Sequence, residues 1–179
     1  MRKGLIGIVL LCFFATTLRA APLAVDVVSV RFNERRIAGQ SYPWLEADIS
    51  LRPTGKIYPE HISINLWLLY KEPTGKFVYK GTARLYAMQE DAQVRFYLPS
   101  DIIRIRRLPQ TPSAYYLEIS SSAGREPFEH SHTSPLLTTE AARNELKMSP
   151  AEPLLPHYFT PFYCDSETQR DMPAYEILQ

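Results

Sequence analysis

The sequence predicts an all-β fold, an antiparallel β-sandwich of about seven strands followed by one short C-terminal helix and an extended C-terminal arm. Three observations carry that expectation. Apolar residues recur at every second position in several runs, and turn residues break those runs at short intervals. The runs also follow one another without helical segments between them, which disfavours a parallel sheet.

The chain opens with Arg2 and Lys3, an apolar run from Leu5 to about Phe14, and a small residue at Ala20 ahead of Pro22. Charged, apolar, then small is the order of a secretory signal peptide, and the run is shorter than the roughly 20 residues a membrane span needs. Residues 1–20 are therefore expected to be a signal peptide. The mature protein is expected to be exported, to the periplasm, the outer membrane or the cell exterior, with no membrane insertion after cleavage. Losing Arg2, Lys3 and Arg19 takes the formal charge from +1 to −2. A weakly acidic, mixed surface gives no electrostatic basis for a nucleic-acid partner. Cys164 is then the single cysteine, so no intramolecular disulfide forms, and its thiol is either packed away or used between molecules.

The sandwich is expected over 21–137. Leu23–Phe32 reads as a first strand with Val28, Val30 and Phe32 on one face, its imperfect alternation fitting an edge strand or one that changes sheets. Trp44–Arg52 alternates cleanly: Leu45, Ala47, Ile49 and Leu51 face one way, and Glu46, Asp48, Ser50 and Arg52 the other. From Ile62 to Leu98 three runs read as a meander. In the first, Ile62, Ile64, Leu66, Leu68 and Tyr70 face the core, while Trp67 and Leu69 make the second face apolar too. A strand apolar on both faces is central or offers one face to a partner. Pro73 and Gly75 supply a hairpin turn, and Gly81 in mid-strand suggests a bulge or a close backbone approach. Val94, Phe96 and Leu98 form the inner face of the third run, after which Ser100 or Asp101 is expected to cap a short helical turn through Ile103.

Ser113–Ser120 is a further strand, and one of its tyrosines, Tyr115 or Tyr116, is placed to form the corner hydrogen bond of immunoglobulin-like sandwiches. Glu126–Ser134 is expected to return as a short last strand near the sheet edge. Residues 138–179 form the helix and the arm. Thr138 or Thr139 caps the helix, Glu140 lies in its first turn and Lys147 near its end. The arm is rich in proline and in large apolar groups. Disordered tails are poor in aromatics, so the arm is expected to wrap the sandwich or dock on another protein.

The WLLYK strand, GTARLYAM, VRFYLPSDII and Thr160-Pro161-Phe162, in an exported chain with a late helix, resemble small secreted immunoglobulin-like proteins encoded with type IV pilus machinery in diderm bacteria. The resemblance implies an immunoglobulin-like sandwich and a non-enzymatic role in pilus assembly or surface interaction, with an envelope or pilus-associated protein as partner. It carries over no binding residue. The absence of a cysteine pair departs from antibody-type domains.

Motifs for chemistry are sparse. Glu129-His130-Ser131-His132 puts two histidines on one side of a strand, with Glu126 or Glu129 as a further oxygen donor, but no third or fourth ligand follows at a characteristic spacing. Arg104, Arg106 and Arg107 form a small basic cluster that reads as a solvated loop in a chain not basic elsewhere. Cys164 has only His157, in a proline-broken tail, as a base to activate it. There is no GxSxG, SxxK, HExxH or Gly-rich phosphate loop. No catalytic residue, metal ligand or cofactor site is assigned, and an interaction or structural module is the expected class. Trp67, Leu69, Phe162 and Tyr163 are the candidates for arm docking or partner contact. The alternative is a carbohydrate-binding module stacking sugars on Trp44, Tyr86 and Tyr97.

Overall fold

Alternation along Trp44–Pro53 sends Leu45, Ala47, Ile49 and Leu51 into full burial, and the strands on either side repeat that division. The structure, a computed structural model of the 179-residue chain, describes residues 25–54, 60–73, 75–121, 128–164 and 173–176. The predicted signal peptide, residues 1–20, lies outside them.

The described residues form seven main strands: β1 (Val25–Arg35), β2 (Trp44–Pro53), β3 (Glu60–Glu72), β4 (Gly75–Ala87), β5 (Ala92–Leu98), β6 (Ala114–Ser121) and β7 (Phe128–Thr133). Helix α1 (Ser100–Arg106) joins β5 to β6, and α2 (Glu140–Met148) follows β7. Three two-residue strands, β8 (Glu152–Pro153), β9 (Leu155–Pro156) and β10 (Tyr175–Glu176), come from the arm. The fold is all-β with two sheets. The first has the order β1-β2-β5-β9; the second has β10-β4-β3-β6-β7, with β8 pairing parallel to β4. Between them lie Ile49, Ile62, Ile64, Leu66, Leu68, Tyr70, Tyr79, Leu85, Val94, Phe96, Leu117 and Ile119, none measurably exposed. Each aliphatic or phenylalanine side chain among these contributes about 1.5–3 kcal/mol on leaving water.

Two expectations change in detail, at β1 and at α1. In β1 the register shifts between Val27 and Ser29, so Val25 and Val27 are buried while Val28 stands exposed. A bulge inserts one unpaired residue, which resets the alternation read from sequence. Of the two readings of Gly81, the close approach holds and the bulge does not, because Leu66 pairs with it in unbroken register. Helix α1 runs on to Arg106, its N-cap is Pro99, and no side chain caps it. The described part of the segment after residue 137 packs on the sandwich, one of the two outcomes expected of it, and supplies strands to both sheets. In α2, by contrast, Thr139 accepts from the Ala142 N–H at 3.3 Å, as the sequence predicts.

The arm closes one side of the sandwich. Glu152 and Pro153 pair with Tyr79 and Lys80 on the second sheet; Leu155 and Pro156 then pair with Tyr97 and Phe96 on the first. Leu154, between these pairs, donates its N–H to the Lys80 carbonyl at 2.8 Å and buries its side chain in the main core. A chain that changes sheet in five residues straps the two edges together. Gly81 lies beneath the strap, and a Cβ there would meet Phe96 Cδ1 at 2.4 Å.

Candidate functional site

The second apolar face of β3 is covered from within the chain. Trp67 and Leu69 are buried with Val78, Ala114 and Tyr116 beneath Leu137 and Leu146 of the segment containing α2. The cover is also electrostatic. Lys147 pairs with Glu118 and sits 5.8 Å over the Trp67 ring and 5.2 Å over Tyr116, while Lys80 lies 4.9 Å over Trp67. At the exposed rim, Lys76 reaches Glu145 at 2.8 Å.

The outer face of the first sheet holds a feature that alternation alone does not reveal. Glu46, expected to face solvent, is only 5% exposed. Its carboxylate accepts from Tyr97 Oη at 2.6 Å and from Asn33 Nδ2 at 3.2 Å, and pairs with Arg35 Nε at 3.3 Å. Burial, and next the Glu46 carboxylate, push the Tyr97 phenol well above its ordinary pKa of 10. On the other side of that phenol His157 Nδ1 lies 3.2 Å away. The arm roofs this network: Phe162 stacks on Tyr97 at 5.0 Å and meets the edge of Trp44 at 5.6 Å. Beside it Asp48 pairs with Arg95 at 3.4 Å, and burial raises the Asp48 carboxyl above its usual 3.8.

The four contact candidates therefore fall on two opposite surfaces. Trp67 and Leu69 lie under α2, and Phe162 lies on the first sheet; Tyr163, next to it, is 46% exposed. The three sugar-stacking candidates do not meet. Trp44 and Tyr97 are buried under Phe162, and Tyr86, 59% exposed, stands on the other sheet against His61. They form no shared platform, because the arm takes the surface that the two buried rings would have offered.

Opposite the strap, both sheets end on strands that have one neighbour each among the described residues, β1 and β7. Phe32 of β1 lies 5.7 Å from Tyr115 of β6, and Tyr115 stacks on His132 of β7 at 5.8 Å and 13°. Tyr115 Oη lies 3.1 Å from His132 Nδ1, and Tyr116 Oη donates to Glu118 at 3.3 Å. Both phenols thus engage side chains, and among the described residues neither makes the corner hydrogen bond to backbone. Among the described residues no group of three His, Cys, Asp or Glu is arranged to hold a metal; Glu126 lies outside them. The basic cluster is divided, since Arg104 pairs with Asp101 at 3.4 Å while Arg106 pairs with Glu152 and lies 4.6 Å over Phe77. The Cys164 side chain lies outside the described residues.

One cleft missed by sequence reasoning lies between the β1–β2 loop and α1, lined by Gln40, Ser41, Tyr42, Ser100, Asp101 and Arg104. Its residues come from two segments about 60 positions apart, brought together by the pairing of β2 with β5 and by the Ser100–Gln40 hydrogen bond. No helix among the described residues is long and apolar enough to cross a membrane. Comparisons with protein-family models, curated proteins and solved structures return no match.

Proposed function

We propose that this chain is an exported, non-enzymatic protein-interaction module of immunoglobulin-like build, working in the cell envelope beside pilus-associated proteins. Export rests on the order of charged, apolar and small residues in 1–20. The pilus association rests on the resemblance carried by VRFYLPSDII and Thr160-Pro161-Phe162. The strand order supports the immunoglobulin-like reading. Constant-type domains place the first, second, fifth and fourth strands on one sheet and the third, sixth and seventh on the other. Here the first, second and fifth pair together, and the fourth has crossed to pair with the third.

The observation that carries the interaction reading is the way the chain uses its own C-terminal quarter. It covers the outer face of each sheet and straps one side, and it leaves the β1 and β7 edges opposite without a second strand neighbour among the described residues. An unpaired edge is a template for an added strand. Strand β1 is guarded by its bulge and by Asp26, Arg31, Glu34 and Arg35, whereas β7 has an unbroken register with β6 and carries one carboxylate, Glu129. The added strand therefore belongs on β7. A photo-crosslinking residue at Ser131, compared with one at Glu140 on α2, tests this in intact envelopes. Pilus-associated proteins joined through position 131 and not 140 support the reading. Equal recovery from both, or recovery of glycans alone, rejects it.

A further inference from the structure

The cleft between the β1–β2 loop and α1 encloses about 380 Å³, within the range of small-molecule sites. Such sites are mostly apolar, but this one is lined by Gln40, Ser41, Tyr42, Ser100, Asp101 and Arg104, without one aliphatic side chain. Its polar groups are set before any ligand arrives. Gly39, at φ +85°, turns the loop, and the Gln40 N–H donates to the Ile37 carbonyl at 3.1 Å. Gln40 Oε1 accepts from Trp44 Nε1 at 2.9 Å and from Ser100 Oγ at 3.2 Å. Those two bonds fix the amide and leave Nε2 as a donor. Asp101 and Arg104, 3.4 Å apart and both well exposed, add an acceptor and a fork of donors. Tyr42 is 48% exposed and supplies the one aromatic ring.

The inventory selects a ligand class. An apolar ligand would strand the polar lining without partners. An anion is repelled by Asp101 and a cation by Arg104, so the pair suits a neutral molecule. Alternating donors and acceptors match adjacent hydroxyls, each of which both gives and takes a hydrogen bond. A ring with one apolar face beside those hydroxyls completes the fit, since it can stack on Tyr42. We propose that this cleft binds a neutral hexopyranoside, stacked on Tyr42 and hydrogen-bonded by Asp101, Arg104 and Gln40. It is a different place from the sugar platform the sequence suggests, and it does not depend on the β7 edge.

The chain carries its own reporter. Trp44 Nε1 bonds the Gln40 side chain that lines the cleft, while the second tryptophan, Trp67, lies under α2 on the other sheet. ¹⁵N-labelled protein titrated with methyl glucoside, methyl galactoside and methyl mannoside through the millimolar range should show saturable movement of the Trp44 indole signal for at least one of them, with Trp67 unmoved. Tyr42→Ala and Asp101→Asn, both at exposed positions, should each weaken that binding at least about tenfold, or 1.4 kcal/mol, with the remaining spectrum preserved. The proposal fails if no glycoside moves the Trp44 signal saturably, if inorganic phosphate moves it and the glycosides do not, or if both variants bind as the parent does.

Discussion

Gly81 shows how a single missing side chain sets the spacing between layers. Its position in β4 faces Phe96 of β5 across the core, and the strap residue Leu154 presses from the side. A methyl group there would lie 2.4 and 2.8 Å from two Phe96 ring carbons and 3.1 Å from Leu154 Cβ, so the ring must turn or the sheets must separate. Gly81→Ala is expected to cost about 1–3 kcal/mol in urea unfolding, as overpacked cores do. A variant as stable as the parent would show that Phe96 has room to rotate. Glu46 makes the complementary point. One carboxylate, almost wholly buried, joins Tyr97, Asn33 and Arg35, and so ties β1, β2 and β5 on the face away from the main core.

The strap is the element on which closure of the sandwich depends. Its strands are two residues long and contain Pro153 and Pro156, which donate no backbone hydrogen bond, so pairing alone holds it weakly. Side-chain burial supplies the rest. Leu154 enters the main core, and Phe162 covers Tyr97 and Trp44. Leu154→Ala should therefore destabilise the protein by about 2–5 kcal/mol, the range for buried leucines that leave a cavity. Hydrogen exchange should speed most at the Leu154 N–H itself and at β5, whose outer edge the strap pairs. Uniform exchange across β1 to β7 would instead make the strap a passive cover.

For the molecule as a whole, one acid-sensitive group lies on the open side. Burial, and next the neighbouring His130, lower the pKa of His132 below its ordinary 6.5, with Asp26 of β1 pulling the other way. The folded state thus prefers neutral His132. Below pH 6.5 the unfolded chain takes up the proton more readily, so stability is full above that value and falls as pH drops through it. Asp48 has the opposite sign: its raised pKa favours the folded state as pH falls through that raised value, so it opposes the His132 loss. Melting temperature should decline as the pH falls below 6.5, and His132→Gln should flatten that decline. An unchanged slope in the variant would place the titrating group elsewhere.

The seven main strands were legible in the amino-acid order because alternation is a local property: Leu45, Ala47, Ile49 and Leu51 announce a face whatever lies opposite. The capping of α2 by Thr139 was legible for the same reason, since cap and partner are three residues apart. What lies above each outer face was not. The polar side of β2 reads as solvated, yet Glu46 is buried because an arm more than 100 residues later folds over it. Likewise Trp67 and Leu69 announce that something must cover them, but only packing chose α2 for that place and Phe162 for the other. Periodicity determined which residues face together; the return of the chain across both sheets decided which of those faces meet water.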